Sequence, residues 1–369
     1  MRIAGIRLRR LRYPLEPRFV AAWDPQPRRA LEATLVYVDT DEGLTGIGSG
    51  DTMDGFERYT HLFVGEDPLD VERHVRVLET IAFHAARYWP LEAALWDLAG
   101  KAEGVPAARL LGGSLDRLPV YASTGEARAP TARAESALTL RTEGFRALKL
   151  RVDKERLDEG VAAARAVREA VGEGTAIIVD LNQGWRMPGD VSPLLGYDEV
   201  LEAAARLREL DVLWLEEPLA GHDLAGLARL RGESGLRIAG GEMARTPAEL
   251  DAFLGAGALD VYQPDAVLAV GLLRARQHAE RVLAAGLWFT PHTWTNGIGL
   301  LANLHLAAGA GGGPFLELAY DPPGWTPERR DFMLVEPVRA DSDGCLAVPE
   351  RPGLGIELDE DAVERFSVR

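Results

Sequence analysis

Short apolar runs that end in a charged side chain recur at near-regular intervals through the second half of this chain. They are Lys149 in ALKLRV, Asp180 in AIIVDLN, Glu216 in VLWLEEP, Glu242 in RIAGGE, Asp265 in DVYQPD and His292 in WFTPH. A (β/α)8 barrel repeats a strand and a helix every 25 to 30 residues or so, roughly, and carries its active site at the carboxyl ends of the strands. Each interval here fits one such step, the one from Asp180 to Glu216 with an insertion. The runs are continuously apolar rather than alternating, as suits parallel strands covered on both faces.

Eight runs make eight strands: VYAST, FRALKLRV, AIIVDLN, DVLWLEEPL, RIAGGE, DVYQPD, LWFTPH and FLELA. Amphipathic stretches such as DEGVAAARAVREAVGEG lie between them. Residues 1–118 read instead as an α+β unit. RIAGIRLRRLRY alternates like a half-buried strand, and EATLVYVDTDEGLTGIGSGD reads as two strands about a turn at Asp41-Glu42-Gly43. In PLEAALWDLAGKAEGV, Leu91, Ala94, Leu95, Leu98 and Ala99 share one helical face, with Gly104 and Pro106 as stop signals. The expected organisation is a capping unit over 1–118, a barrel over 119–339, and a tail over 340–369 whose strand and turns return to the capping unit. The 184–198 insertion sits on a βα loop, and either roofs the substrate or is a neutral surface insertion.

The chain has 369 residues, enough for a barrel and a second domain, and a net charge of −16, which disfavours nucleic acid and anionic membranes. No run of about 18 apolar residues is present and the basic start lacks an apolar signal core, so neither a spanning helix nor a signal peptide is expected. Cys345 is the only cysteine, which excludes an intramolecular disulfide and suits a cytoplasmic enzyme.

Asp180, Glu216 and Glu242 end three successive strands, so their carboxylates converge. Like charges in a dry site repel, and a hard divalent cation resolves that. Oxygen-only ligands favour Mg2+. Pairing with arginines at the barrel mouth is the plainer reading of any one acid, but it explains three in register poorly. Asn182, two residues after Asp180, points to the same side of the strand and could bond the ligands or substrate. A zinc-hydrolase barrel would want a His-x-His pair, and the chain has none. Asp265 and His292 end the next two strands, and a carboxylate on one imidazole nitrogen makes the other a general base. His61, His74, His84, His222, His278 and His305 lack that register and read as structural or merely exposed. Glu317 ends the eighth strand and could donate a proton or hydrogen bond to a developing oxyanion. Across the barrel, Lys149 and Arg151 share one face of the second strand and could both address a substrate carboxylate. Trp23, Asp24, Ser49, Asp51 and Ser123 are further candidates for substrate contact.

These residues, with ALWDLAGKAEGVPAARLLGG, KLR, VDLNQGW, WLEEPL, AGGE, QPD, PH and PGLGIELDED, resemble the enolase superfamily, specifically its mandelate racemase subgroup, over essentially the full length. The resemblance implies a capping domain built from both termini on a modified (β/α)7β barrel. It implies Mg2+ on Asp180, Glu216 and Glu242, a base formed by His292 and Asp265, and Glu317 against the substrate carboxylate. It also implies that substrate choice lies in capping loops near Phe19–Pro27 and Gly48–Gly55, and that the chain forms a symmetric homo-oligomer.

The subgroup commonly carries Lys-x-Lys on the second strand, with the second lysine as a base; here that position is Arg151. Arginine stays charged and is a poor base. The favoured activity is therefore one-base chemistry on a small anionic substrate: His292 takes the α-proton and a β-hydroxyl leaves, converting an aldonate or aldarate to a 2-keto-3-deoxy acid. A racemase or epimerase, another lyase or cycloisomerase, and a metal-binding protein without catalysis are the alternatives.

Overall fold

The architecture was taken from a computed structural model that describes residues 1–113 and 115–368. The N-terminal unit is an antiparallel sheet of β1 (Ile3–Phe19), β2 (Arg28–Thr40) and β3 (Thr45–Gly48), in the order β1-β2-β3. The turn between β2 and β3 falls on Asp41–Gly43 as expected, with Gly43 at φ 84°. Two helices follow, α1 (Val71–His84) and α2 (Trp89–Glu103). Asp70 caps α1 by accepting the Arg73 amide, and Gly104 ends α2 in the left-handed conformation.

One apolar face was expected on α2, yet the helix is buried from Trp89 through Gly100 except at Trp96. The reason is its position between the sheet and the barrel. A Cβ on Gly48 would lie 2.1 Å from the Pro90 carbonyl oxygen, so glycine is what lets β3 press onto the α2 backbone. On the barrel side the Trp89 indole donates to the Ala269 carbonyl at 2.7 Å. Asp97 accepts the amides of Ile47 and Leu354, each at 2.8 Å, and so ties β3 to the tail.

The barrel strands are β4 (Arg117–Ser123), β5 (Ala147–Arg151), β6 (Ala176–Asp180), β7 (Val212–Glu216), β8 (Ile238–Gly240), β9 (Val261–Tyr262), β10 (Trp288–Phe289) and β11 (Leu316–Ala319). All eight expected runs contain one. They pair in parallel in the order β10-β9-β8-β7-β6-β5-β4-β11. β10 and β11 meet through the Gly313 amide on the Phe289 carbonyl (2.8 Å) and the Thr290 hydroxyl on the Phe315 carbonyl (2.7 Å). Tyr121, Ile178, Trp214, Ala239 and Val261 fill the floor of the barrel. The larger core lies between the strands and the surrounding helices.

β8, β9 and β10 are shorter than their apolar runs. Glu242, Asp265 and His292 therefore stand two or three residues past the strand ends, not at them. Strand-like bonds still carry these segments onward: the Gln263 amide reaches the Gly240 carbonyl at 3.0 Å, and the His292 amide reaches the Gln263 carbonyl at 3.3 Å.

The tail differs in part from the expectation. Its strand, β12 (Cys345–Ala347), pairs antiparallel with β4 of the barrel and not with the N-terminal sheet. Its turns and its last helix do return to the N-terminal unit: the Gly353 carbonyl accepts the Ala107 amide at 2.7 Å, Leu354 bonds Asp97, and the helix Glu360–Phe366 lies on β1, where the Val368 amide bonds the Arg10 carbonyl at 2.9 Å. Among the described residues no helix is long and apolar enough to cross a membrane.

Candidate active site

Parallel pairing sets the site. Arg151, Asp180 and Glu216 are successive Cα partners across β5, β6 and β7. Side chains at one level of a barrel point to one side, so three charged groups meet at its mouth. Glu242 joins from just beyond β8. One oxygen from each of Asp180, Glu216 and Glu242 lies within 4.8 Å of the others, and all three residues are buried.

Two cations face this cluster. Lys149 Nζ lies 2.5 Å from Glu216 Oε1, 2.7 Å from Glu317 Oε1 and 3.3 Å from Asp180 Oδ2. Arg151 pairs with Asp180, donates to Asn182 Oδ1 at 3.1 Å, and donates through Nε to the Thr124 carbonyl at 3.1 Å. The positive charge is insufficient. Burial, with the charges of Glu216 and Glu242 behind it, pushes Asp180 up to about 8 against the pull of Arg151 and Lys149. Glu216 goes the other way: burial opposes its charge, but Lys149, Arg151 and a hydrogen bond with Asp180 together outweigh it and hold the carboxyl below its usual range.

The residues fit a hard divalent cation. The cluster offers oxygen donors alone, and Glu242 Oε2 is buried with no hydrogen-bond partner among the described residues. The remaining oxygens are oriented by neighbours: the Trp185 indole donates to Glu242 Oε1 at 2.7 Å, and Trp214 and Gln263 donate to Glu216 Oε2 at 3.0 and 2.9 Å.

On the far side of the cluster, His292 Nδ1 lies 2.9 Å from Asp265 Oδ2. Asp265 Oδ1 is occupied by the amides of Val267 and Leu268 and by Asn303 Nδ2, so this carboxylate is fixed in place. The imidazole's other nitrogen faces the site, 3.8 Å from Glu242 Oε1 and 3.9 Å from Glu317 Oε2. Burial alone would lower its pKa, but the charges of Glu242 and Glu317 and the Asp265 bond overcome that and raise it to about 9.

The other expected site residues fall as follows. Glu317 is an acceptor and not a donor here. The Thr293 amide donates to its Oε2 at 2.8 Å, and although burial opposes its charge, Lys149, His292 and Arg151 hold its carboxyl well below the usual carboxylate range. Asn182 does reach Arg151, but by another route than strand alternation: it lies past the end of β6 with φ 46°. Trp23 packs its ring 4.5 Å from the Arg151 guanidinium carbon, and Trp294 lies 5.7 Å from the same atom. Ser123 stands behind that layer, its hydroxyl accepting the Trp294 indole at 2.8 Å. Asp24 pairs with Arg28 at 3.0 Å. Ser49 is spent on the Thr34 carbonyl (2.7 Å) and on Asn296 Nδ2 (2.9 Å). The insertion enters the site at its start, through Trp185 on Glu242. Further along it is tied aside by Lys154 on Asp190, 2.9 Å.

Four neighbours of the cluster were not singled out from the sequence: Trp185, Gln263, Asn303 and Glu217. Glu217 is buried with Oε2 unpartnered, and burial and the charge of Glu242 push its carboxyl well above the usual range. The doublet in WLEEPL was the only signal for it.

Known proteins share this two-part fold. The model for the mandelate racemase/muconate lactonizing enzyme N-terminal domain matches residues 26–112, and that for the enolase C-terminal domain-like family matches residues 132–362. The chain is 28% identical to D-galactarolactone cycloisomerase of Agrobacterium fabrum, over 99% of each chain. It is 30% identical to arabinonate dehydratase of Saccharolobus solfataricus, over 76% of this chain and 71% of the relative. It superposes on a solved racemase from Streptomyces coelicolor with bound magnesium at a TM-score of 0.82 and 27% identity, over 98% of this chain and 99% of that one. With both of its parts matched, the chain belongs to the enolase superfamily, in the mandelate racemase/muconate lactonizing enzyme group.

Proposed function

We propose that this chain is a Mg2+-dependent dehydratase of an acid sugar, an aldonate or aldarate. The observation that carries the reading is the asymmetry of the two sides of the site. On one side His292, backed by Asp265 through Nδ1, presents an Nε2 that makes no hydrogen bond among the described residues. On the other, the position of a second base holds Arg151, pinned by Asp180, Asn182 and Trp23. A guanidinium does not give up its proton in this range, so one face alone can abstract.

His292 Nε2 takes the proton α to the substrate carboxylate, a role worth about 10²- to 10⁴-fold in rate. Mg2+, held by Asp180, Glu216 and Glu242, would supply positive charge against the oxygens of that carboxylate. Lys149 adds its own charge to the enediolate that results. The imidazolium then returns its proton to the β-hydroxyl as the carbon–oxygen bond breaks. Water leaves, and the enol becomes a 2-keto-3-deoxy acid. Proton and electron counts balance with no further reactant.

The relatives include sugar-acid dehydratases, cycloisomerases and a racemase, and abstraction of a proton α to a carboxylate by His292 is a step from which each of these outcomes can follow here. The full-length match to a lactone cycloisomerase gives the second reading: abstraction followed by ring opening. Incubation of the Mg2+-loaded protein in D2O with aldonic, aldaric and uronic acids and their lactones, followed by proton NMR, separates them. A 2-keto-3-deoxy product with deuterium at C3 is expected. An opened lactone without loss of water would favour the cycloisomerase. Exchange or inversion at C2 with water retained would replace both by a racemase or epimerase.

A further inference from the structure

Two opposite charges stand unpaired where the N-terminal unit meets the barrel mouth. The first is Asp51. The loop before it is pinned over the segments that follow β9 and β10. Asn296 Nδ2 bonds Ser49 Oγ at 2.9 Å, and Gly50 packs so closely on Val267 that a Cβ there would lie 2.4 Å from Val267 Cγ2. Those segments carry Asp265 and His292. The Asp51 carboxylate accepts its neighbour, the Thr52 amide, at 2.7 Å, and makes no ion pair among the described residues. Burial raises its pKa to about 6, with the charge of Asp265 adding to that effect while Thr52 and Arg87 oppose it.

The second is Arg87, between α1 and α2. Its Nη1 is buried with no hydrogen-bond partner, and its guanidinium makes no ion pair among the described residues. Burial disfavours its charge and so does the nearby Arg245, against the attraction of Asp51, Glu249 and Asp265. Arg245 comes from the loop after β8 and is exposed. Tyr88, the residue after Arg87, donates its hydroxyl to the Asp54 carbonyl at 2.8 Å, so Arg87 lies beside the loop that carries Asp51, and the charges of Asp51, Arg245 and Asp265 all act on it. A half-buried cation with no ion-pair partner in contact is costly, and a second cation near it adds to the cost. An incoming anion relieves both.

We propose that Arg87, supported by Arg245, takes the distal carboxylate of a dicarboxylic acid sugar, while Asp51 accepts from a hydroxyl between its two ends. Resting on the dehydratase reading, this narrows the substrate to the aldarates. One charge-assisted hydrogen bond to a carboxylate is worth about 10- to 100-fold in affinity.

The test pairs each aldarate with the aldonate of the same configuration, so that only the terminal carboxylate differs. Binding to the Mg2+-loaded protein is measured by calorimetry and turnover by NMR. Wild type is expected to bind the aldarate at least about 10-fold tighter. Arg87→Gln should raise Kd and KM for the aldarate by about 10- to 100-fold and leave the aldonate within about 2-fold. Arg87→Lys should recover part of the loss. An equal effect on both members of a pair, or no binding by either, overturns the subsite. An aldarate that binds through Arg87 but is never dehydrated supports the subsite and removes the dehydratase reading. An aldonate dehydrated equally well by wild type and Arg87→Gln removes the subsite and leaves that reading intact.

Discussion

The Arg151 guanidinium stacks on the Trp23 indole, 4.5 Å from the ring centre, and so joins a loop of the N-terminal unit to the second barrel strand. Such a contact is worth about 0.5–2 kcal/mol. Lysine offers a positive charge there but neither a planar stack nor a fork that spans Asp180 and Asn182. Arg151→Lys should fold and should lower kcat/KM by about 10- to 100-fold, the cost of one or two charge-assisted bonds. It should also place a titratable amine opposite His292, so that α-deuterium exchange in D2O extends to the C2 epimer of the substrate. Unchanged kcat/KM would show that Arg151 is only a packing residue.

His292→Asn keeps a donor for Asp265 and removes the imidazole. Turnover should fall by about 10²- to 10⁴-fold. Mg2+ affinity, read by calorimetry, should stay within about 3-fold, because Asp180, Glu216 and Glu242 are untouched; that margin corresponds to less than about 1 kcal/mol. An active variant would assign the proton abstraction to another group.

The titration of His292 reports on the metal site. In metal-free protein its pKa is raised from 6.5 to about 9, against burial, by Glu242, Glu317 and Asp265. A group raised in this way stabilises the fold fully below the unfolded value and loses that contribution as pH rises through the folded one. Metal-free protein should therefore lose about 3 kcal/mol from this group as pH rises from 6.5 to 9. A cation on Glu242 neutralises the first of the attractive charges, so Mg2+ should bring the imidazole midpoint down toward neutrality. An NMR titration with and without Mg2+ checks this, and a midpoint indifferent to Mg2+ would remove Glu242 from the ligand set.

Much of the barrel was legible because a strand buried on both faces leaves a continuous apolar run, and because a charge closing such a run has few structural uses. That is why all eight runs contained strands and why Lys149, Asp180 and Glu216 stand at or near strand ends. Glu242, Asp265 and His292 were found at the right places in the chain but on the wrong kind of element. What carries the backbone past β8, β9 and β10 is bonding to neighbouring segments, such as the Gln263 amide on Gly240, which no local pattern records. Glu217 and Asn182 were obscured for a different reason. Both are non-glycine residues in the left-handed region, at φ 44° and 46°, so alternation along the strand does not say where their side chains go. Trp23, Trp185 and Arg87 matter through partners far away in sequence, and only the assembled fold brings those partners close.

Glu92 gives the junction between the two parts of the fold its own pH dependence. It lies on α2, yet its Oε1 accepts the Leu273 amide at 2.7 Å and so caps the barrel helix Gly271–Ala284, with a second bond from the Trp96 indole at 3.1 Å. Its Oε2 is buried without a partner among the described residues. Burial raises its pKa from 4.5 to about 7, although the Leu273 amide, Trp96 and Arg274 favour the charged form. The raised value means that the contribution is complete below about 4.5 and is lost as pH climbs through about 7, a change of about 3 kcal/mol. Glutamine keeps the acceptor for Leu273 and cannot ionise. Glu92→Gln should therefore match wild type in Tm at pH 4.5 and exceed it at pH 8. Glu92→Ala should be destabilised at both, by about 1–3 kcal/mol for the unpaired Leu273 amide alone. Thermal unfolding of the three proteins at the two pH values decides the matter: a wild-type-to-glutamine difference that does not move with pH would mean that Glu92 stays charged throughout and that the junction is held by its geometry alone.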